Sequence, residues 1–102
     1  MRSTVNICIQ EKENFRLHFF RGEKMAEMLL DSHIVGDVIA EYRTNKGMTQ
    51  EVLSGLAGIG RSHLSAIERG ERKPTLETLY RLSLALDTKM SVLVTAIEER
   101  LE

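Results

Sequence analysis

The sequence predicts an all-α fold: five short helices in one bundle over residues 34–102, preceded by an N-terminal extension over residues 1–33. Three observations predict it. From Val35 to Leu101 apolar residues recur at intervals of three and four, the period of a helix face. Gly47, Gly58 and Gly70 interrupt that pattern at the ends of short helical stretches. Thr49, Thr75 and Ser91 stand just ahead of apolar runs, where a hydroxyl caps a helix N-terminus. A chain of 102 residues suits a single core. Connections of a few residues are those of a helix bundle.

The extension reads differently from the rest. Val5, Ile7 and Ile9 alternate with polar residues, as do Phe15, Leu17 and Phe19, with the polar stretch Gln10–Asn14 between them. That pattern fits a β-hairpin, although a lone hairpin is marginal. A second reading makes Met25 the natural start and residues 1–24 a translated leader. Arg21-Gly22-Glu23 can be encoded by purine-rich codons that resemble a bacterial ribosome-binding sequence, at a suitable interval before Met25. Both readings stand.

The helices follow in order. Val35, Val38, Ile39 and Tyr42 share one face of the first, and Lys46-Gly47 supplies a basic last turn and a stop. Thr49 caps the second, which places Val52, Leu53 and Leu56 on one face and ends at Gly58. Leu64 and Ile67 mark a short third helix that stops at Gly70. Pro74-Thr75 opens a fourth, with Leu76, Leu79, Tyr80 and Leu86 on one face. Ser91 caps a fifth carrying Leu93, Val94, Ile97 and Leu101. The far end of that helix is expected to reach past the bundle and serve dimerisation.

Composition excludes several classes of function. One cysteine rules out an internal disulfide framework and a multi-cysteine zinc site, and Cys8 reads as a small buried hydrophobe. No apolar run approaches the roughly 18–20 residues of a membrane helix. The N-terminus lacks the order of a signal peptide, so a cytoplasmic location is expected. His18, His33 and His63 lie far apart in unlike contexts, so no metal site is expected. Ser62 and Ser65 beside His63 do not form a triad, because helix neighbours point apart and no orienting acid is placed. No glycine-rich phosphate loop is present. Neither an enzyme nor a cofactor is expected.

The net charge of −1 speaks at first against nucleic acid, whose backbone rewards positive charge. Its distribution changes that. Residues 1–33 are neutral, 34–42 carry −2, 43–73 carry +3 and 74–102 carry −2. The basic block sets Arg43, Lys46, Arg61, Arg69, Arg72 and Lys73 against Glu51, Glu68 and Glu71.

Inside that block the run from Gln50 to Arg69, QEVLSGLAGIGRSHLSAIER, holds a helix, a tight turn at Gly58 and a second helix. Glycine tolerates a positive φ, so the chain can reverse there sharply. The small Ser54 lets the two helices approach closely. Ile59, Leu64 and Ile67 then fold the second helix across the first, against Leu53 and Leu56. Arg61, Ser62, Ser65 and Ala66 are left outward, near a helix N-terminus. Such an end is suited to phosphate and to the major groove.

At these residues the stretch Val35–Val94 resembles the helix-turn-helix domain of the Cro/λ-repressor superfamily, also called the xenobiotic-response-element family. The resemblance rests on Arg43, Lys46-Gly47-Met48-Thr49-Gln50, Gly58, Leu64-Ser65, Ile67-Glu68-Arg69-Gly70 and Lys73-Pro74-Thr75-Leu76-Glu77-Thr78-Leu79. It implies a five-helix λ-repressor-like fold and a set of roles. Gln50 matches a glutamine that contacts DNA phosphate and braces the recognition helix. Arg61, Ser62 and Ala66 match positions facing base edges, and His63 and Ser65 sit among neighbouring phosphate or base contacts. Arg69 matches a phosphate contact at the end of the recognition helix, with Arg72 and Lys73 in the following loop. Arg43 and Glu68 match a buried salt bridge between the first and third helices. Plainer readings stand beside these: Gln50, Ser62, Arg72 and Lys73 as solvated surface, Arg61 as a phosphate contact or solvent-facing arginine.

The sequence departs from the family pattern in four places. Gly60 replaces the usual Ser or Thr cap of the recognition helix, at a cost of about a few tenths of a kcal/mol. Ser54 replaces a usual alanine. Gly55 interrupts the second helix at a cost of about 1 kcal/mol. Ala66 replaces what is often a long polar reader. That leaves Arg61 as the strong bidentate reader, with a preference for guanine at one position.

The function expected is that of a DNA-binding transcriptional regulator, a repressor or autoregulator. Its partner is double-stranded DNA, bound as a homodimer on two half-sites about 34 Å apart. The alternative is the antitoxin of a toxin–antitoxin pair, with a toxin as protein partner, or a restriction–modification controller protein.

Overall fold

The computed structural model describes residues 29–102. The expected hairpin, the leader and Met25 lie outside the described residues. Among the described residues there are five helices and no strand: α1 Ser32–Asn45, α2 Gln50–Ala57, α3 Arg61–Glu68, α4 Leu76–Ala85 and α5 Met90–Leu101. None of them is long and apolar enough to cross a membrane.

Local chemistry sets most of the boundaries. The Asp31 carboxylate accepts from the His33 amide at 2.9 Å and caps α1. The Thr49 and Thr75 hydroxyls each accept at 3.1 Å from an amide three residues on, and so cap α2 and α4. Helix ends are marked by Gly47 and Gly58 at φ 70° and Gly70 at φ 78°, a conformation that costs L side chains a Cβ clash. The α4–α5 connection turns on Asp87 at φ 53°, a residue type that tolerates the left-handed region. Because that turn is so tight, α5 begins at Met90 with Lys89 at its N-cap, earlier than a Ser91 cap predicts.

The core takes Val35, Val38 and Ile39 from α1, Leu53 and Ala57 from α2, and Leu64 and Ile67 from α3. Leu79, Leu82 and Leu86, at and just beyond α4, complete it with Leu93 and Ile97 of α5. α1 packs on α3 and α5, while α2 packs on α3 and α4.

Two helices turn a different face inward from the one the apolar spacing predicts. In α2, Leu53 is buried with the small Ser54 and Ala57, whereas Val52 and Leu56 are exposed. Small side chains let backbones approach closely, and here that outweighs the pull of the larger residues. In α4, Leu79 and Leu82 are buried beside Thr78 and Ser83, whereas Leu76 and Tyr80 are exposed. α4 carries apolar residues on two faces, and spacing alone does not say which meets the core. In α5, Leu93 and Ile97 are buried, but Leu101 is exposed. The far end of α5 lies against α1, where Arg100 pairs with Glu41, and does not project from the bundle.

Candidate nucleic-acid interface

The site is built on α3, anchored at its C-terminal end and open at its N-terminal end. The anchor is Glu68. Its Oε2 accepts from Arg43 Nε at 2.7 Å, and its Oε1 accepts from Arg43 Nη2 at 3.0 Å and from Gln50 Nε2 at 2.9 Å. Arg43 Nη1 donates to the Met48 carbonyl at 2.8 Å. One carboxylate thereby ties α3 to α1 and to the first residue of α2, and Arg43 in turn holds the α1–α2 loop. The side chains are only 15% and 6% exposed for Arg43 and Glu68, so the pair is shielded and bidentate. The Glu68 hydrogen bond raises the pKa of Arg43 against the opposing effect of burial, and the guanidinium stays charged.

Gln50 is oriented by the same contact. A carboxylate only accepts, so one amide N–H of Gln50 is committed to Glu68, and its second N–H is left for another acceptor. At the other end, Gly60 begins α3 with no side-chain cap. The first-turn amides of α3 therefore have no side-chain acceptor from the cap residue, whereas α2 and α4 have threonine caps.

A surface groove runs between these features, lined by Gln50, Arg61, Ser62, Ser65 and Arg69. Five of the residues expected at the site are thus brought together. His63, Ser65 and Ala66 are half-buried on α3, and Arg72 and Lys73 are exposed in the following loop. His63, Ala66, Arg72 and Lys73 are not among the groove's lining residues. Arg69 is not a free cation. It donates to the Ser65 hydroxyl and pairs with Glu71, both on the surface. That hydrogen bond holds the Glu71 carboxyl below the usual glutamate range and raises the pKa of Arg69.

Gly36 is a contributor that spacing arguments miss. A Cβ at that position of α1 would lie 2.4 Å from the Ile67 carbonyl oxygen and 2.6 Å from that of Glu68. The backbone of α1 therefore rests directly on the last turn of α3. The available signal was a glycine inside an otherwise helical apolar pattern, which commonly has a packing reason.

Two consecutive short helices, α2 and α3, joined through a left-handed glycine, with the second presenting a polar, cationic outer face, define a helix-turn-helix domain. A family model described as Helix-turn-helix matches residues 39–93, and the chain belongs to that family of transcriptional regulators. It is 42% identical over 66 residues to the uncharacterized HTH-type transcriptional regulator y4dJ of Sinorhizobium fredii, covering 65% of this chain and 86% of that protein. Among solved structures it is similar to the restriction-modification controller protein C.AhdI from Aeromonas hydrophila. The TM-score is 0.61 at 37% identity, over 64% of this chain and 98% of that one. It is also similar to the controller protein C.Esp1396I, solved as a tetramer with its natural 35 base-pair operator. That match has a TM-score of 0.65 at 29% identity, over 72% of this chain and 96% of the other.

Proposed function

We propose that this regulator binds an operator by seating α3 in the major groove, and that it represses or autoregulates transcription by occluding polymerase. The observation that carries this reading is the groove itself. Gln50, Arg61, Ser62, Ser65 and Arg69 line one surface, while the acid of α3, Glu68, is neutralised from behind by Arg43. In this reading Arg61 reads guanine with its two-pronged guanidinium, Ser62 reads beside it, and Ala66 meets a thymine methyl. The free N–H of Gln50, together with His63, Ser65, Arg69, Arg72 and Lys73, supplies backbone contacts that set register without reading sequence. Arg69 exchanges Glu71 for phosphate at small cost, since the pair is exposed and screened by solvent.

Likeness to C.AhdI and C.Esp1396I favours one particular setting, a controller protein beside restriction and modification genes. The toxin-masking alternative has no observation behind it and is not carried further. Arg61→Ala tests the reading role. On the preferred duplex it is expected to cost about 1–3 kcal/mol and to relax preference at one base pair. On random duplex the loss is expected to be much smaller. Fluorescence anisotropy titrations at matched salt measure both, and equal losses on the two duplexes contradict base reading. Non-specific affinity is expected to be weak, because the whole chain carries only −1 and its basic block +3.

A further inference from the structure

Three acids lie in the basic block, and the fold uses them differently. Glu68 faces inward to Arg43 and Gln50. Glu51 is exposed in the first turn of α2. Glu71 alone of the three pairs with a cation that lines the α3 groove, Arg69.

That pairing is built into the way α3 ends. The Gly70 amide donates to the Ile67 carbonyl at 3.0 Å, and the Glu71 amide donates to the Ala66 carbonyl at 2.9 Å. With Gly70 at φ 78°, these two bonds form a Schellman turn, and the second folds Glu71 back along the last turn of α3. The turn is packed as well as bonded. A Cβ at Gly70 would lie 2.4 Å from Nδ1 of His33, so the His33 ring rests on the glycine. Glu71 is therefore carried by a fixed turn. Its carboxylate accepts from Nε of Arg69, while the Ser65 hydroxyl, one turn earlier, accepts from Nη1. The guanidinium is held at two points along the groove. Arg61, the other arginine of the groove, has no ion pair among the described residues.

A guanidinium that already faces a carboxylate neutralises no phosphate until the carboxylate is displaced. The Arg69 hydrogen bond holds the Glu71 carboxyl below the usual glutamate range, so this competitor stays charged at neutral pH. On DNA of arbitrary sequence no phosphate is fixed beside Arg69, and Glu71 keeps it. With α3 seated in its own site a phosphate stands at a set place, and a charge-assisted contact replaces the pair. We propose that Glu71 is a specificity-determining residue, which withholds Arg69 from phosphate on random DNA and yields it only on the operator. The release rests on the operator reading above; the withholding rests on the turn. The pair is exposed and screened, so the effect is severalfold in affinity and not orders of magnitude.

Salt titrations by fluorescence anisotropy test this, with the full chain on a random-sequence duplex and on a duplex enriched from a random pool. On the random duplex Glu71→Gln is expected to bind severalfold more tightly at low salt. Its log K against log salt is expected to steepen by about 0.9, the slope of one added phosphate contact. Between about 50 and 200 mM salt that is an extra loss of about 3.5-fold. On the enriched duplex the steepening is expected to be much smaller, because the Arg69 contact is already made there. In an Arg69→Gln background the same Glu71→Gln change is expected to steepen neither slope, since the cation it frees is gone. An unchanged random-duplex slope overturns the proposal. So does a steepening that persists without Arg69, which reports only the loss of a negative charge. Equal steepening on the two duplexes leaves the operator reading standing and refutes this proposal alone. If no sequence is enriched, the operator reading fails and release with it, and the random-duplex slopes decide whether Glu71 withholds Arg69.

Discussion

Replacing Glu68 with alanine is expected to lower folding stability by about 3 kcal/mol, the scale for breaking a shielded pair by removing one partner. The penalty comes from what is left behind. Arg43 is 15% exposed, so its guanidinium cannot fully regain water, and two of its N–H groups lose their acceptor. Gln50 loses the contact that orients its amide. In a domain of this size the change corresponds to a fall in thermal midpoint of more than about 10 °C, followed by far-UV circular dichroism. The pair itself contributes less than its rupture costs. Replacing both partners with apolar residues, Arg43→Met with Glu68→Leu, is expected to recover most of the loss. An unchanged midpoint in Glu68→Ala contradicts a shielded Arg43–Glu68 pair.

Two Gly→Ala changes are expected to act in opposite directions. At Gly36 the new Cβ falls 2.4 Å and 2.6 Å from two carbonyl oxygens of α3. Those atoms are backbone at the end of a helix and cannot rotate aside, so α1 and α3 must separate. Overpacking of this kind costs about 1–3 kcal/mol. The better helix propensity of alanine returns about 1 kcal/mol, which leaves a net destabilisation. At Gly55, within α2, an added Cβ meets nothing within 4 Å. There only the propensity gain remains, and Gly55→Ala is expected to stabilise by about 1 kcal/mol. Urea unfolding of both variants measures the two signs. Equal effects at the two glycines contradict the close approach of α1 to α3.

Much of the fold was legible in the sequence because its punctuation is local. Thr49 and Thr75 cap with their own hydroxyls, and Gly47, Gly58 and Gly70 take up conformations that L side chains avoid. Which face of a helix turns inward is not local. Leu53, Ser54 and Ala57 face the core of α2 because small side chains permit the approach, and apolar spacing cannot weigh that against Val52 and Leu56. In α4 two apolar faces compete, and Leu76, Tyr80 and Leu84 are left outside while Leu79 and Leu82 face the core. The candidate site was legible mainly through resemblance, which supplied the Arg43–Glu68 pair across 25 residues. The pairing of Arg69 with Glu71 depends on the turn after α3, which no spacing rule announces, whereas Ser65 lies four residues before Arg69 at ordinary helical spacing.

In the proposed function α3 reads DNA as one of a pair. It is tested most directly by selecting bound duplexes from a random pool with the full chain. Convergence is expected on an inverted repeat whose half-sites have centres one helical turn, about 34 Å, or a multiple apart, with guanine fixed at one position of each half. Failure to enrich any sequence over repeated rounds contradicts it.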